Sequence, residues 1–132
     1  RGLMFDEIWS IMPCAPNLDV KDLKKISKFY NKLKVKYPVL AVSEYKVPID
    51  WAFNMGKSGK LVPINQKLQL KRSQDISKKY YDAGQFSVYP GKKFLRYNFI
   101  KKNYFYVGYI LPSRKSVDID DIEDWKLAEK LH

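Results

Sequence analysis

Asp118 and Asp120 stand two residues apart in SVDIDDIEDW, within a run that sets five carboxylates in seven positions: Asp118, Asp120, Asp121, Glu123 and Asp124. On an extended chain, residues two apart project to the same side, which would put this pair roughly 7 Å apart along the backbone. Like charges that close repel unless water or a cation lies between them. Hard oxygen ligands of this kind suit magnesium, which is commonly held by one or two carboxylates plus substrate phosphates. The plain alternative is that both are solvated or paired with neighbours such as Arg114 and Lys115, since D-x-D is a short and common pattern. The other three acids have a structural reading. Asp121 is a good helix N-cap, and Glu123 and Asp124 fall in a first turn, where the helix dipole favours negative charge.

The surroundings of this acidic run are basic. The net charge is +11, and from Lys57 to Lys115 there are fourteen Lys or Arg against two acids, Asp75 and Asp82. That half of the chain could hold phosphates or carboxylates, the alternative being a solvated lysine surface. Cys14 is the sole cysteine and His132 the sole histidine. A disulfide framework, a zinc cluster and a Cys-His or Ser-His nucleophile are therefore excluded. No apolar run approaches the roughly 20 residues needed to cross a bilayer, and RGLMFDEIW has no signal-peptide core, so the reading is a soluble cytoplasmic protein without a membrane partner. At 132 residues, 45% hydrophobic and 15% aromatic, the chain suits a single globular domain, 1–132.

The elements that must position these residues read as α/β. EIWSIM (7–12) is a short apolar run closed by Pro13, expected as a buried parallel strand. Asp19 caps a helix over about 20–34, with Asp22 at its third position and Val20, Leu23, Ile26, Tyr30 and Leu33 on one face. PVLAVSEYKV (38–47) returns as a strand, completing a right-handed strand-helix-strand unit. Residues 51–65 read as a hairpin turning at Gly56–Gly59. Residues 66–82 read as a loop with one helical turn, 84–89 as a strand, the stretch from Pro90 as a short helix and 104–110 as a strand. Ser116 to Asp120 alternates like a strand. A last helix starts at Asp121, with Ile122, Trp125, Ala128 and Leu131 on its buried face. Trp9 and Trp125 read as core anchors.

Three segments carry a resemblance. VDIDDIEDWKLAE (117–129), IMPCAPNLDVKDL (11–23) and KRSQDISKKYYDAGQFSVY (71–89) resemble, in order and spacing, segments of the acylneuraminate cytidylyltransferases, which activate sialic acids and related nonulosonic acids as CMP-sugars. DAGQF following RSQD is more like the pseudaminic acid branch. The resemblance implies a Rossmann-like nucleotide-diphospho-sugar transferase fold, present here as its carboxyl-terminal part without the amino-terminal glycine-rich phosphate loop. It also implies a projecting β-hairpin arm, 48–66, that dimerises two copies.

By the same resemblance, Asp118 and Asp120 hold Mg2+, and Arg72 and Gln74 act in catalysis and bind the sugar, Arg72 by pairing with the sugar's carboxylate, either within one copy or across the dimer. Gly84, Gln85, Phe86 and Met12 line the sugar pocket, and the partners are CTP and a nonulosonic acid. The implied reaction is attack of the anomeric hydroxyl on the α-phosphorus of CTP with loss of pyrophosphate. Met12 and Cys14 stand where the family usually has polar residues, and Ser87 and Val88 where the pseudaminic branch has aromatics.

Two other readings remain open on the residues alone. The basic face, with Tyr80, Tyr81, Tyr97, Tyr104 and Tyr106 as stacking platforms, could bind single-stranded nucleic acid, although no nucleic-acid motif accompanies it. A catalytically silent relative that only dimerises would show the same fold without magnesium-dependent ligand binding. Cys14 reads either as a small buried loop residue or as part of the pocket wall.

Overall fold

The computed structural model describes residues 5–34, 37–94 and 105–132. These fall into two compact units, Arg1–Ser43 with Asp82–His132, and Glu44–Tyr81. The first is mixed α/β. Its strands β1 (Glu7–Ile11), β2 (Val39–Glu44), β5 (Tyr80–Pro90) and β6 (Val107–Ile110) form a four-stranded sheet in the order β1-β5-β2-β6. The β2–β6 pair is parallel, with Val39 opposite Val107, and the β1–β5 pair is antiparallel, with Ile11 opposite Phe86.

The expectation of a buried parallel strand at 7–12 is thus corrected. Its neighbour is antiparallel β5, β1 ends the sheet order, and Ile11 is exposed. An apolar run indicates burial, but the direction of its partner is decided by a segment more than 70 residues later. β1 and β2 flank α1 as expected, yet β5 lies between them in the sheet.

Helix α1 (Val20–Lys32) starts where its cap requires. Asp19 Oδ1 accepts from the Asp22 backbone at 2.9 Å, and Asp22 Oδ2 accepts from the Asp19 backbone at 3.2 Å, a reciprocal capping box. Ile26 and Tyr30 of α1 bury against Val39 and Ala41 of β2, Ala83, Phe86 and Val88 of β5, and Leu111. Trp9 packs on this core, its ring 5.9 Å from that of Phe86, as its reading as an anchor requires. Val20, placed on the apolar face by its spacing, is exposed at the first turn.

After Pro90 the helix α2 covers Gly91–Phe94; the rest of that expected helix, and Tyr104 of the expected strand, lie outside the described residues. Ser116–Asp120 is not a strand, as its alternation suggested, but an unpaired connection following a 3₁₀ turn at Ser113–Lys115. It is fixed by side-chain bonds: Gln85 Nε2 donates to the Val117 carbonyl at 3.1 Å, and Ser116 Oγ donates to Ser43 Oγ at 3.2 Å.

The last helix, α3 (Ile122–Leu131), has the predicted cap. Asp121 Oδ1 accepts from Glu123 N at 2.8 Å and Asp124 N at 3.0 Å, while Asp124 Oδ2 accepts from Asp121 N. Its expected buried face is corrected, because only Ala128 is buried. Ile122 and Trp125 are 65% and 52% exposed, and Leu131 is exposed too. The described residues of this unit cover one turn of the apolar stripe and leave the rest in solvent.

The second unit carries the predicted hairpin, β3 (Phe53–Met55) and β4 (Leu61–Pro63), paired antiparallel with Phe53 opposite Pro63. Its turn closes through Gly56 N to Lys60 O at 2.9 Å, with Gly59 at φ +78°, a value that suits glycine. Trp51 Nε1 donates to the Leu68 carbonyl at 3.1 Å, and the helical turn foreseen within 66–82 is the 3₁₀ turn Ser73–Asp75.

Candidate active site

Within the first unit, Asp118 is brought against Gly84. Gly84 has φ +64°, and a Cβ built on it would lie 2.5 Å from Asp118 Oδ2 and 3.2 Å from its Cγ. Glycine is therefore required twice over, by its backbone conformation and by the carboxylate packed on its Cα. The conformation is held by Asp82, whose Oδ1 accepts from Gly84 N at 3.0 Å. Asp118 itself is half-buried, and its Oδ1 is a buried oxygen without a hydrogen-bond partner. A buried carboxylate oxygen left so is unfavourable unless something positive or hydrogen-bonding meets it. Asp120 is exposed, and its backbone N–H is tied to Asp124 Oδ2 at 3.1 Å.

Cys14 joins this group from the loop after β1. Its thiol is held protonated, its pKa pushed up first by a hydrogen bond to the Asp118 carboxylate, then by burial and the negative charges of Asp118 and Asp120. Cys14 is half-buried rather than fully buried in its loop, and it lies beside the Asp118 carboxylate. Met12, exposed in the same loop, donates its backbone N–H to the Gln85 carbonyl at 3.0 Å. Gln85 and Phe86 are both buried, Gln85 with 0% exposure.

Arg72 and Gln74 belong to the other unit. Arg72 is exposed, and its carbonyl accepts from Asp75 N at 3.0 Å at the start of the 3₁₀ turn. Gln74 lines a cavity of about 330 Å³ with Ser73, Ser77, Lys46, Lys78, Lys79 and one carboxylate, Glu44. Lys78 also bonds Glu44 at 3.0 Å; that contact raises the lysine pKa. Polar donors and ammonium groups around one cavity suit an anionic guest.

Residue spacing did not disclose a third group. Lys115 Nζ donates to Asp19 Oδ2 at 3.1 Å and also to Asp22 Oδ2, so the cap of α1 grips the turn that leads to Asp118. Asp22 is 9% exposed, and the bond to it is the main cause of a raised Lys115 pKa. The partners are 93 residues apart, and the only hint in the sequence was the acid at the third helical position. Arg114, the other basic neighbour suggested for the acidic run, donates no bond to it among the described contacts; its carbonyl accepts from Asn17 Nδ2.

A cation would find a partial shell here. Asp118 and Asp120 are the carboxylates at hand, both near enough to Cys14 to raise its pKa although the strand expected to align them is not formed, and no cluster of three His, Cys, Asp or Glu side chains occurs among the described residues. That donor set fits magnesium, whose remaining positions are normally filled by water and substrate phosphate, and the partnerless Asp118 Oδ1 is where such an ion would be met. Of the tyrosines considered as stacking platforms, Tyr97 and Tyr104 lie outside the described residues, and Tyr81 is occupied by Tyr45 with rings 4.9 Å apart. No helix among the described residues is long and apolar enough to cross a membrane.

No protein-family model matches the chain. Two curated proteins from Campylobacter jejuni subsp. jejuni, of serotypes O:2 and O:23/36, are each 30% identical to it over all 132 residues, and both are pseudaminic acid cytidylyltransferases. The chain spans 56% of the length of each. The resemblance seen in three segments therefore extends over the whole chain, which is similar along its full length to part of two pseudaminic acid cytidylyltransferases.

Proposed function

We propose that this chain is part of a cytidylyltransferase that transfers CMP from CTP to a nonulosonic acid, of which pseudaminic acid is the first candidate. The observation that carries the proposal is the Asp118 carboxylate seated on the bare Cα of Gly84 with one buried oxygen unpartnered, in a segment that resembles the relatives' closing motif. In the reaction the anomeric hydroxyl oxygen bonds to the α-phosphorus, the bond from that phosphorus to the bridging oxygen breaks, pyrophosphate leaves with the electron pair, and the hydroxyl proton passes to water. Such transfer depends on positioning and charge neutralisation rather than on a covalent nucleophile, which agrees with the lack of a Cys-His or Ser-His pair.

Asp118 and Asp120 would hold a magnesium ion, which supplies positive charge to the nucleotide phosphates. Gly84 lets the ligand and Asp118 approach a backbone without a side chain. Met12 and Cys14 form the wall beside them. Arg72 and Gln74 would offer a guanidinium and an amide to the sugar carboxylate, within one copy or across a dimer, a pairing that favours Arg for its forked donors. A Rossmann-like fold for the whole enzyme, a homodimer joined through the hairpin arm and a cytoplasmic location complete the reading.

The test is pyrophosphate release by the full-length polypeptide. It is expected only when CTP, magnesium and a nonulosonic acid are all present, with N-acetylneuraminate a poorer acceptor than pseudaminate. Asp118→Asn is expected to lower the rate by at least about 100-fold. Release that ignores the acceptor, or that survives Asp118→Asn, would refute the proposal. Loss of all activity with an intact dimer would instead point to a silent relative.

A further inference from the structure

Gln85 has no exposed surface, yet it is an amide in the middle of β5. Its Nε2 donates to the Ala83 carbonyl at 3.0 Å and to the Val117 carbonyl at 3.1 Å. Its backbone carbonyl accepts from Met12 N at 3.0 Å, while its side-chain oxygen is buried without a hydrogen-bond partner. One residue thus joins the loop after β1, the strand carrying Gly84, and the residue immediately before Asp118. Both neighbours of Nε2 are acceptors, so the amide is locked in one orientation: reversed, its oxygen would face two carbonyl oxygens. The segment from Ser116 to Asp120 has no strand ladder to define it. A buried donor that must be satisfied therefore sets where the backbone at Val117 lies, and the next residue along inherits that position.

We infer that Gln85 is a positioning residue: through the Val117 carbonyl it fixes the backbone from which Asp118 sets its carboxylate over Gly84, and it does not touch the sugar. This departs from the pocket-lining role that the family resemblance implied, and it rests on the reading of Asp118 as a cation ligand. Residues that orient a metal ligand without touching the metal commonly change its affinity by about 10- to 100-fold when replaced.

The experiment measures Mn2+ affinity of the chain by electron paramagnetic resonance of the free ion, with thermal unfolding recorded alongside. Gln85→Met keeps the length of the side chain and removes the donor; it is expected to weaken Mn2+ binding by about 10-fold or more. Asp118→Asn should weaken it further. Val88→Ala, a truncation at an equally buried position of β5, should lower stability and leave Mn2+ affinity as it is. Wild-type affinity in Gln85→Met with loss in Asp118→Asn overturns the role of Gln85 and leaves the cation reading standing. Equal weakening in Val88→Ala also overturns it, by reducing the effect to general destabilisation. No binding by the wild type, or unchanged binding by Asp118→Asn, overturns the cation reading and the role of Gln85 with it. Should Gln85→Met not fold, the wild-type chain decides: the Gln85 side-chain amide resonance is expected to shift on Mg2+ addition, and an unmoved resonance overturns the inference.

Discussion

Asp118 Oδ2 lies where a side chain at Gly84 would begin, 2.5 Å from the position of a Cβ. Gly84→Ala therefore meets two penalties at once. A residue with a Cβ at φ +64° is strained by about 1–2 kcal/mol. The methyl group must also push the carboxylate away. The melting temperature is expected to fall by roughly 3–8 °C, and Mn2+ affinity to fall with it. A variant that melts lower but binds Mn2+ like the wild type would separate the backbone strain from the site and show that Asp118 acts elsewhere.

The Cys14 thiol reports on the same carboxylate. Hydrogen bonding to Asp118, burial and nearby negative charge all favour the protonated thiol, so its pKa lies above the ordinary thiol value. Alkylation by iodoacetamide at pH 8 should be slower than for a free cysteine, because the thiolate is the reactive form. Asp118→Asn removes the negative charge and leaves at most a weaker, neutral acceptor, which lowers the pKa, and alkylation should accelerate several-fold. A rate that is the same in both proteins would mean that the thiol and the carboxylate are not in contact in solution.

What was legible in the sequence is what is local. The boxes Asp19–Asp22 and Asp121–Asp124 and the Gly56–Gly59 turn depend on residues three or four apart, and each forms where its pattern placed it. The pairing of β1 with β5, the grip of Lys115 on Asp22 and the bond from Gln85 to Val117 join segments 32 to more than 90 residues apart, and no spacing encodes them. Ser116–Asp120 misled because alternation reports which side is buried, and Val117 is indeed buried, without reporting a ladder partner. In the candidate site, the residue types at 118, 120 and 84 were readable from the family resemblance, whereas the burial of Gln85 and its bond to Val117 required the fold.

Trp125 illustrates the difference in energetic form. It was expected as a core anchor and is half-exposed, while Phe86 is buried among Trp9 and Tyr109. Phe86→Ala should cost about 3–5 kcal/mol, the usual range for removing a buried aromatic, and Trp125→Ala less than about 1.5 kcal/mol. Chemical denaturation of the two variants checks the order. A larger cost at Trp125 would show that α3 is covered in solution by something other than the described residues of its unit.

Lys115 gives a pH dependence whose sign follows from its raised pKa. A lysine with a higher pKa folded than unfolded contributes stability that is fully present below its unfolded pKa and is lost as the pH rises through the folded one. Asp19 has a lowered pKa, first from the Asp22 backbone N–H and then from Lys115, so its contribution is present above its unfolded pKa and lost as the pH falls through the folded one. The clamp should therefore hold between roughly pH 4 and pH 10. Lys115→Met is expected to cost on the order of 1–2 kcal/mol near neutrality, since it leaves a mostly buried Asp22 carboxylate without its cation. The difference from the wild type should shrink at a pH above the raised folded pKa, where the wild-type lysine loses its own charge. A deficit that persists unchanged at that pH would assign the effect to lost packing of the lysine stem instead.

The hairpin exposes apolar side chains on both strands, Phe53 and Met55 of β3 and Leu61 and Val62 of β4, with Met55 73% exposed. A two-stranded hairpin is marginal alone in water, and an apolar surface on one is well suited to burial against another chain. If the arm joins two copies, Met55→Glu with Leu61→Glu places four charges in the paired interface and should yield a monomer. The turn at Gly56–Gly59 and the Trp51–Leu68 bond lie outside the substituted positions, so the unit should keep its fold. Sedimentation equilibrium of the full-length polypeptide decides: a wild-type dimer that becomes a monomer with an unchanged circular-dichroism spectrum is the expected result. A dimer that survives both charges would place the contact between copies on another surface.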